Sequence, residues 1–329
     1  MPPSAQPSTI PEDPLSTDDT GAVTDAASRP DVGVVLVTHN RPELMRAALA
    51  SILAQDHPGA IRVVVVFDRS DPDRSLERSE GNRSVSVTTN QRSPGLAGAR
   101  NTGVLALDTE LVAFCDDDDE WLPGKLRAQV ERLHREADAE FVTTAMRVDY
   151  GDRSTVRLAG REHVGLDDLV RSRMAMLHST SFLFRRRAML EGFGMVDETL
   201  PRSMAEDWDL LLRAARSAPI AHVDEPLVSI RWGATSYFNE AWADKNEAHS
   251  WLLEHHPEIG DDQVGAAMLY GKLAFGHAAL GERREALRWA GRCVRRRPRE
   301  GRWPLALLVV AGVSAEWIQR ETNRRGHGV

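Results

Sequence analysis

Cysteine is nearly absent. Cys115 and Cys293 are the only two in 329 residues, far apart and outside any CxxC or Cys/His spacing. This excludes a disulfide framework and a structural zinc site and fits a reducing compartment, the cytoplasm. Positive charge is in deficit, with 41 Lys and Arg against 49 Asp and Glu and a formal net charge of -8. A nucleic-acid binder would carry a basic domain with aromatics interleaved on one face, so no nucleic-acid partner is expected. No run approaches the roughly 18 uncharged apolar residues of a bilayer span, and the first residues show no basic region followed by an apolar core. Large apolar side chains are almost missing before about residue 30, where Pro, Ser, Thr, Asp and Ala dominate. Such a segment cannot offset the entropy of ordering, and residues 1–30 read as a disordered tail. Phosphate cradles are missing too: there is no GxxxxGKS/T and no GxGxxG after an apolar run, which argues against P-loop and dinucleotide-binding folds.

What is present is patterned. VGVVLVT, ending at Thr38, is an almost continuous β-branched run, as a strand buried on both faces should be. Asn40 is placed to cap a following helix, with Pro42 and Glu43 in its first turn and Leu44, Ala48 and Ile52 on its apolar stripe. IRVVVVFD ends in Asp68, VSVTT gives a third strand, and a helix over about Ala97–Leu107 leads into ELVAFC. Strands alternating with helices predict a doubly wound, mostly parallel α/β sheet flanked by helices. Five consecutive acids, Asp116 to Glu120, then follow the apolar LVAFC. Ligands of such sheets bind at the carboxyl ends of the strands, beside the switch in strand order, where Thr38 and Asp68 also fall. The acid run lacks the Gly and terminal Glu of a calcium loop. Its hard oxygen ligands suit Mg²⁺ or Mn²⁺ shared with a substrate diphosphate.

Five segments in order, VVLVTHNRPELMRAALASILAQ, VVVVFDRSDPD, SPGLAGARNTGVLAL, LVAFCDDDDEWLPGKL and AEDWDLLLR, resemble a family 2 glycosyltransferase of the GT-A fold, over about residues 32–232. The resemblance implies an inverting transfer of a sugar from a nucleotide-sugar donor, UDP favoured, to the hydroxyl of a saccharide, lipid-linked or small-molecule acceptor. It assigns base and ribose binding to Thr38, Asn40 and Asp68. The family often has two acids after its second strand, whereas Phe67 precedes Asp68 here. The DxD motif falls on Asp116, Asp117 and Asp118, with Asp118 the metal ligand, Asp116 at the ribose or metal, and Asp119 supporting them. Four aspartates in a row leave that register open by one. Arg100 matches an arginine that pairs with the diphosphate, and Asp207, second of the Glu206-Asp207 pair, matches the catalytic base. Glu206 and Asp209 then orient it or cap the helix, where first-turn acids also serve the helix dipole. A histidine often found after the last strand is replaced by Trp232-Gly233; His178, before STSFLFRR, which reads as a strand, is an alternative approach to the site. Trp208 and Trp232 suit either stacking on a sugar or base, or the core.

The chain thus reads as a tail (1–30), a GT-A domain (31–238) and a helical region (239–329). Within the last, YGKLAFGHAALGERREALRWAGRCVRRRP resembles one tetratricopeptide-like helix pair. Nine arginines between Arg283 and Arg302 precede an uncharged run of 13 residues, Trp303 to Ala315. That run is read first as a buried closing helix, and otherwise as an interfacial helix making peripheral membrane contact at the inner face, or as a partner surface. Two other classes compete. A nucleotidyltransferase would open with a glycine-rich basic loop, which THNRPEL lacks. An inactive binding module would have lost its DxD or base, and both are intact.

Overall fold

The computed structural model describes residue 1 and residues 30–151, 153–232 and 241–324. Most of the expected disordered tail and the boundary near 238 lie outside those residues. The chain begins with β1 (Val32–Thr38), α1 (Pro42–Leu53), β2 (Ile61–Phe67), β3 (Arg78–Glu80) and β4 (Arg83–Thr89). It continues through α2 (Leu96–Ala106), β5 (Leu111–Asp116), β6 (Glu120–Trp121), α3 (Lys125–Arg135), β7 (Phe141–Tyr150) and β8 (Arg153–Arg157). Then come β9 (His163–Val164), α4 (Leu166–Arg171), β10 (Leu183–Arg185), α5 (Glu206–Ser217) and β11 (Ile220–Arg231).

The strands form one sheet in the order β3-β4-β2-β1-β5-β10-β7-β11-β6, with β8 on β7 and β9 on β11. The β4-β2-β1-β5 half is parallel, as is β7 with β11, while β10 runs antiparallel between β5 and β7. The chain steps from β1 outward through β2 and β4, then returns to place β5 on the other side of β1. The switch point is therefore between β1 and β5, where Val37 lies opposite Asp116.

Every residue of β1 is buried because both faces of the sheet are covered. Val35, Val37, Val64, Val66, Val112 and Phe114 face one core with Trp208 and Leu211 of α5. Val34, Leu36, Val63, Val65 and Ala113 face the other, with Met45 and Ala48 of α1 and Leu126 of α3. Helix α2 lies so close to β1 that a Cβ on Gly103 would overlap the Val35 methyls. Gly103→Ala should therefore destabilise the fold by about 1–3 kcal/mol in urea titration; an unchanged midpoint would show that α2 can lift off β1 freely.

Two local expectations need correction. Asn40 does not cap α1: Arg41 occupies the N-cap position without a side-chain bond, and Asn40 takes a left-handed turn with φ 55°. STSFLFRR is a strand only over Leu183–Arg185, because Ser179–Ser181 coil into a tight turn that sends the Ser179 and Thr180 hydroxyls toward the acid run. Trp208 is a core residue, its indole N–H donating to the Leu169 carbonyl at 3.0 Å, whereas Trp232 is exposed and stacks against Arg157.

The remainder is helical: α6 (Trp242–His255), α7 (Pro257–Asp261), α8 (Gln263–Ala279), α9 (Arg283–Arg296), α10 (Arg302–Val310) and α11 (Ala315–Arg324). α8 and α9 pack against each other, and α10 and α11 pack against α8 around Phe275, Ala286, Ala290, Ala306 and Ile318. The run from Trp303 is not one buried helix. It breaks at Gly312, φ 106°, and leaves Leu307 36% and Leu308 47% exposed. Among the described residues no helix is long and apolar enough to cross a membrane.

Candidate active site

At the end of β5 the four aspartates fan out to different partners. Thr38 donates its hydroxyl to Asp117 Oδ2 at 2.8 Å, fastening the acid run to the end of β1. Arg41 Nη1 reaches Asp117 at 3.2 Å and Asp118 at 2.8 Å. Asp118 is the outermost of the four, its side chain 36% exposed. Burial raises its pKa, Asp116 adds to the rise and Arg41 opposes it. Asp119 is buried, accepting from the Thr180 hydroxyl at 2.6 Å and the Arg231 amide at 3.2 Å. Burial and repulsion from Asp116 and Asp118 push its pKa well above the usual carboxylate range.

Asp116 turns inward to Arg100. This guanidinium, 2% exposed, donates to Asp116 Oδ1 at 2.6 Å, Glu206 Oε1 at 2.6 Å and Ser179 Oγ at 2.8 Å. It spends its donors on protein groups, so Arg41 is the cation at the rim where Arg100 was expected to meet a diphosphate. Burial opposes ionisation of Asp116, but Arg100 and His178 outweigh it and hold the carboxyl below its ordinary value. For Glu206 burial wins over Arg100, and with repulsion from Asp207 and Asp116 it pushes the carboxyl up to about 7.

Asp207, in the first turn of α5, points away from Arg100 to Arg173, which contacts both carboxylate oxygens at 2.9 and 3.1 Å. Burial again opposes ionisation and Arg173 overcomes it, so Asp207 is held below its usual value. Asp209 does not join the site; it pairs with Arg213 and His256 at 2.7 and 2.8 Å. His178 stands between the two halves, with Nδ1 3.4 Å from Asp119 Oδ2 and within electrostatic reach of Asp116 and Asp207. Ligand atoms of Asp116, Asp119 and His178 lie within 4.8 Å of one another, an oxygen-rich set suited to a hard divalent cation.

Beside this lies a polar recess of about 260 Å³ lined by Phe67, Asp68, Arg69, Thr89, Asn90 and Pro94. Asp68 accepts there from Arg69 at 2.8 Å, Asn90 at 2.9 Å and the Gly95 amide at 3.1 Å. Asn40 is exposed and is not among the residues that line this recess. A larger cavity of about 690 Å³, lined by Thr109, Glu110, Glu140 and Arg185, opens at the amino end of β5, away from every residue discussed.

Backbone strain is concentrated at the same place. Among the described residues the non-glycines with positive φ are Asn40, Arg69, Met174, Arg202, Ser203 and Ala205. They follow β1 and β2, adjoin Arg173 or lead into Glu206. Each such position costs of order 1–3 kcal/mol and persists where surrounding structure enforces it, often at functional sites. Sequence reasoning missed Arg41, Arg173, Ser179 and Thr180. The hydroxyl-rich HSTS beside a suspected histidine was a usable signal, whereas nothing marks Arg173.

The comparisons agree with this geometry. Glycosyl transferase family 2 matches residues 33–193. A UDP-Glc:alpha-D-GlcNAc-diphosphoundecaprenol beta-1,3-glucosyltransferase of Escherichia coli is 28% identical over 102 residues, 31% of this chain and 40% of that protein. An uncharacterised glycosyltransferase of Bacillus subtilis is 24% identical over 231 residues, 69% of this chain and 83% of its own. The structure of S. aureus TarS residues 1-349 in complex with UDP superimposes with a TM-score of 0.58 at 20% identity, covering 90% of this chain and 92% of that one. A sheet that switches order between β1 and β5, an acid run at that switch and the matched span, just under half of the chain, together make it similar to glycosyl transferase family 2, on a GT-A fold.

Proposed function

We propose that the chain transfers a sugar from a nucleoside diphosphate donor, UDP favoured, to an acceptor hydroxyl in a single inverting displacement. The observation that carries this is the division of labour among buried acids: Asp116 and its neighbours gather on one side of His178, and Asp207, held ionised by Arg173, stands on the other. An ionised carboxylate that a hydroxyl can reach serves as general base. The recess at Asp68 takes the base and ribose, with the Thr38 carbonyl beside it accepting from the Asp68 amide at 3.0 Å. Arg41 is free to swing from the aspartates to a diphosphate. A divalent cation, Mg²⁺ or Mn²⁺, would offset the charge developing on the leaving phosphate. Asp116 and Asp118 would hold it, Asp118 because it faces outward and Asp116 because it lies in the oxygen set with Asp119 and His178. The similar E. coli protein carries a diphosphoundecaprenol acceptor in its name, which favours a lipid-linked acceptor and work at a membrane surface.

Calorimetry with UDP tests the donor half. Binding should tighten at least tenfold, about 1.4 kcal/mol, when Mn²⁺ replaces EDTA. Asp118→Ala should lose that gain and Asp119→Asn keep it. The reverse ranking would move the ion inward to Asp119 and His178, and equal binding in EDTA would remove the metal from the proposal.

A further inference from the structure

Beyond the acid site, the described residues hold a group of cations with too few anions. His249 on α6 and Lys272 on α8 each lie within electrostatic reach of Arg173, after α4, of Lys245 on α6 and of Arg302 at the start of α10. Lys272 is the only Lys, Arg, Asp or Glu in α8. Beside it Gly271 lets α10 come close, since a Cβ there would stand 2.8 Å from Arg302 Cβ. On α6, Trp242, Lys245, Asn246 and His249 share one face at i, i+3, i+4 and i+7, with Lys245 Nζ 4.0 Å from the Trp242 ring centroid.

Carboxylates do not balance this group. Asp207 is taken by Arg173 and Glu300 by Arg302. Among the described residues neither lysine makes an ion pair or a side-chain hydrogen bond. Four buried atoms of the group, His249 Nδ1, Asn246 Nδ2, Asn246 Oδ1 and Arg302 Nε, have no hydrogen-bond partner. The arrangement is costly: burial and repulsion from Arg302, Arg173 and Lys245 bring Lys272 down to about 7, and burial brings Lys245 to about 8. Buried polar atoms and like charges are seldom left so without a ligand to satisfy them.

We propose that Lys245, His249, Lys272 and Arg302, with Arg173 at its edge, form an anion subsite for a phosphate or diphosphate ester on the acceptor. A phosphoryl group brings close to two charges and several acceptor oxygens, matching this many convergent donors better than a single carboxylate does. The acceptor assignment rests on reading Asp207 as the base, because Arg173 is common to Asp207 and this group. It places the ester on the acceptor side, away from the donor recess at Asp68.

Inorganic pyrophosphate, titrated into the full chain in EDTA, reads this site without the metal-dependent donor site. Saturable binding and a rise in melting temperature are expected. Lys272→Met should raise the melting temperature without ligand, by removing a repelled cation, yet abolish the pyrophosphate-induced rise and weaken binding at least tenfold. Lys245→Met should do the same, while UDP affinity in Mn²⁺ stays unchanged in both. Absence of saturable binding, or binding that both variants leave intact, overturns the subsite. A soluble sugar 1-phosphate and the same sugar on a short-chain lipid diphosphate then separate the two sources. The acceptor whose KM rises at least tenfold in Lys272→Met is the one the subsite serves, and no change for either overturns the acceptor role. If Asp207→Asn still transfers sugar, the base reading and the acceptor assignment fall, but the pyrophosphate result stands.

Discussion

Asp207→Asn should lower sugar transfer by about 10²- to 10⁴-fold, the contribution typical of general base catalysis, while UDP affinity in Mn²⁺ holds. Asparagine preserves the size of the side chain but cannot accept the proton of the attacking hydroxyl. Glu206→Gln is the control. Its carboxyl faces Arg100 at 2.6 Å and is buried behind the site, so its loss should cost less. The pH profile separates the two independently, because a base must be deprotonated to act and the rate falls as pH drops through its pKa. Asp207 is held below the ordinary aspartate value, so kcat/KM should stay level on the acid side until well below neutrality. With Glu206 as base, it would fall as pH drops through about 7. A near-normal rate in Asp207→Asn would reduce this residue to a first-turn acid serving the helix dipole.

The parallel half of the sheet was legible because strands covered on both faces need no alternation: IRVVVVF and VGVVLVT could hardly be anything else. From those strands the acid run falls at their carboxyl ends by sequence order alone. Partner choice within the site was not legible. Arg100 sits on the expected helix, but pattern cannot tell whether a guanidinium turns outward to a ligand or inward, and here two buried carboxylates from distant segments claim it. Ser179 and Thr180 read as strand residues by propensity, yet the chain coils there because their hydroxyls serve Asp116 and Asp119. Strain was equally hidden, since Arg202, Ser203 and Ala205 take left-handed conformations without a glycine to announce them. The cation group joins residues from Arg173 to Arg302, and no local spacing encodes a meeting of that length.

Arg100→Met should destabilise the fold by about 3–5 kcal/mol, the cost of removing one partner from a buried ionic group. The guanidinium is almost wholly buried and bridges β5 to α5 through Asp116 and Glu206, with Ser179 as a third acceptor. Its loss strands two carboxyls away from water. Arg100→Lys should rescue little, because one ammonium cannot reproduce a planar fork that donates in separate directions. The penalty should also depend on pH. Glu206 is raised in the fold, so its contribution to stability is full below its unfolded value of 4.5 and is lost as pH rises through about 7. Without Arg100 to oppose that rise, Glu206 should stay protonated to higher pH, and the variant should be least impaired in mild acid. Adding Glu206→Gln to Arg100→Met removes one stranded charge, and the pair should be less damaged than the sum of its single substitutions. Urea titrations at pH 6 and pH 8, compared at constant m-value, measure all of this. If Arg100→Met instead keeps near wild-type stability but loses UDP binding, the guanidinium turns outward to the diphosphate in the working enzyme, and its inward pairing belongs to the ligand-free state alone.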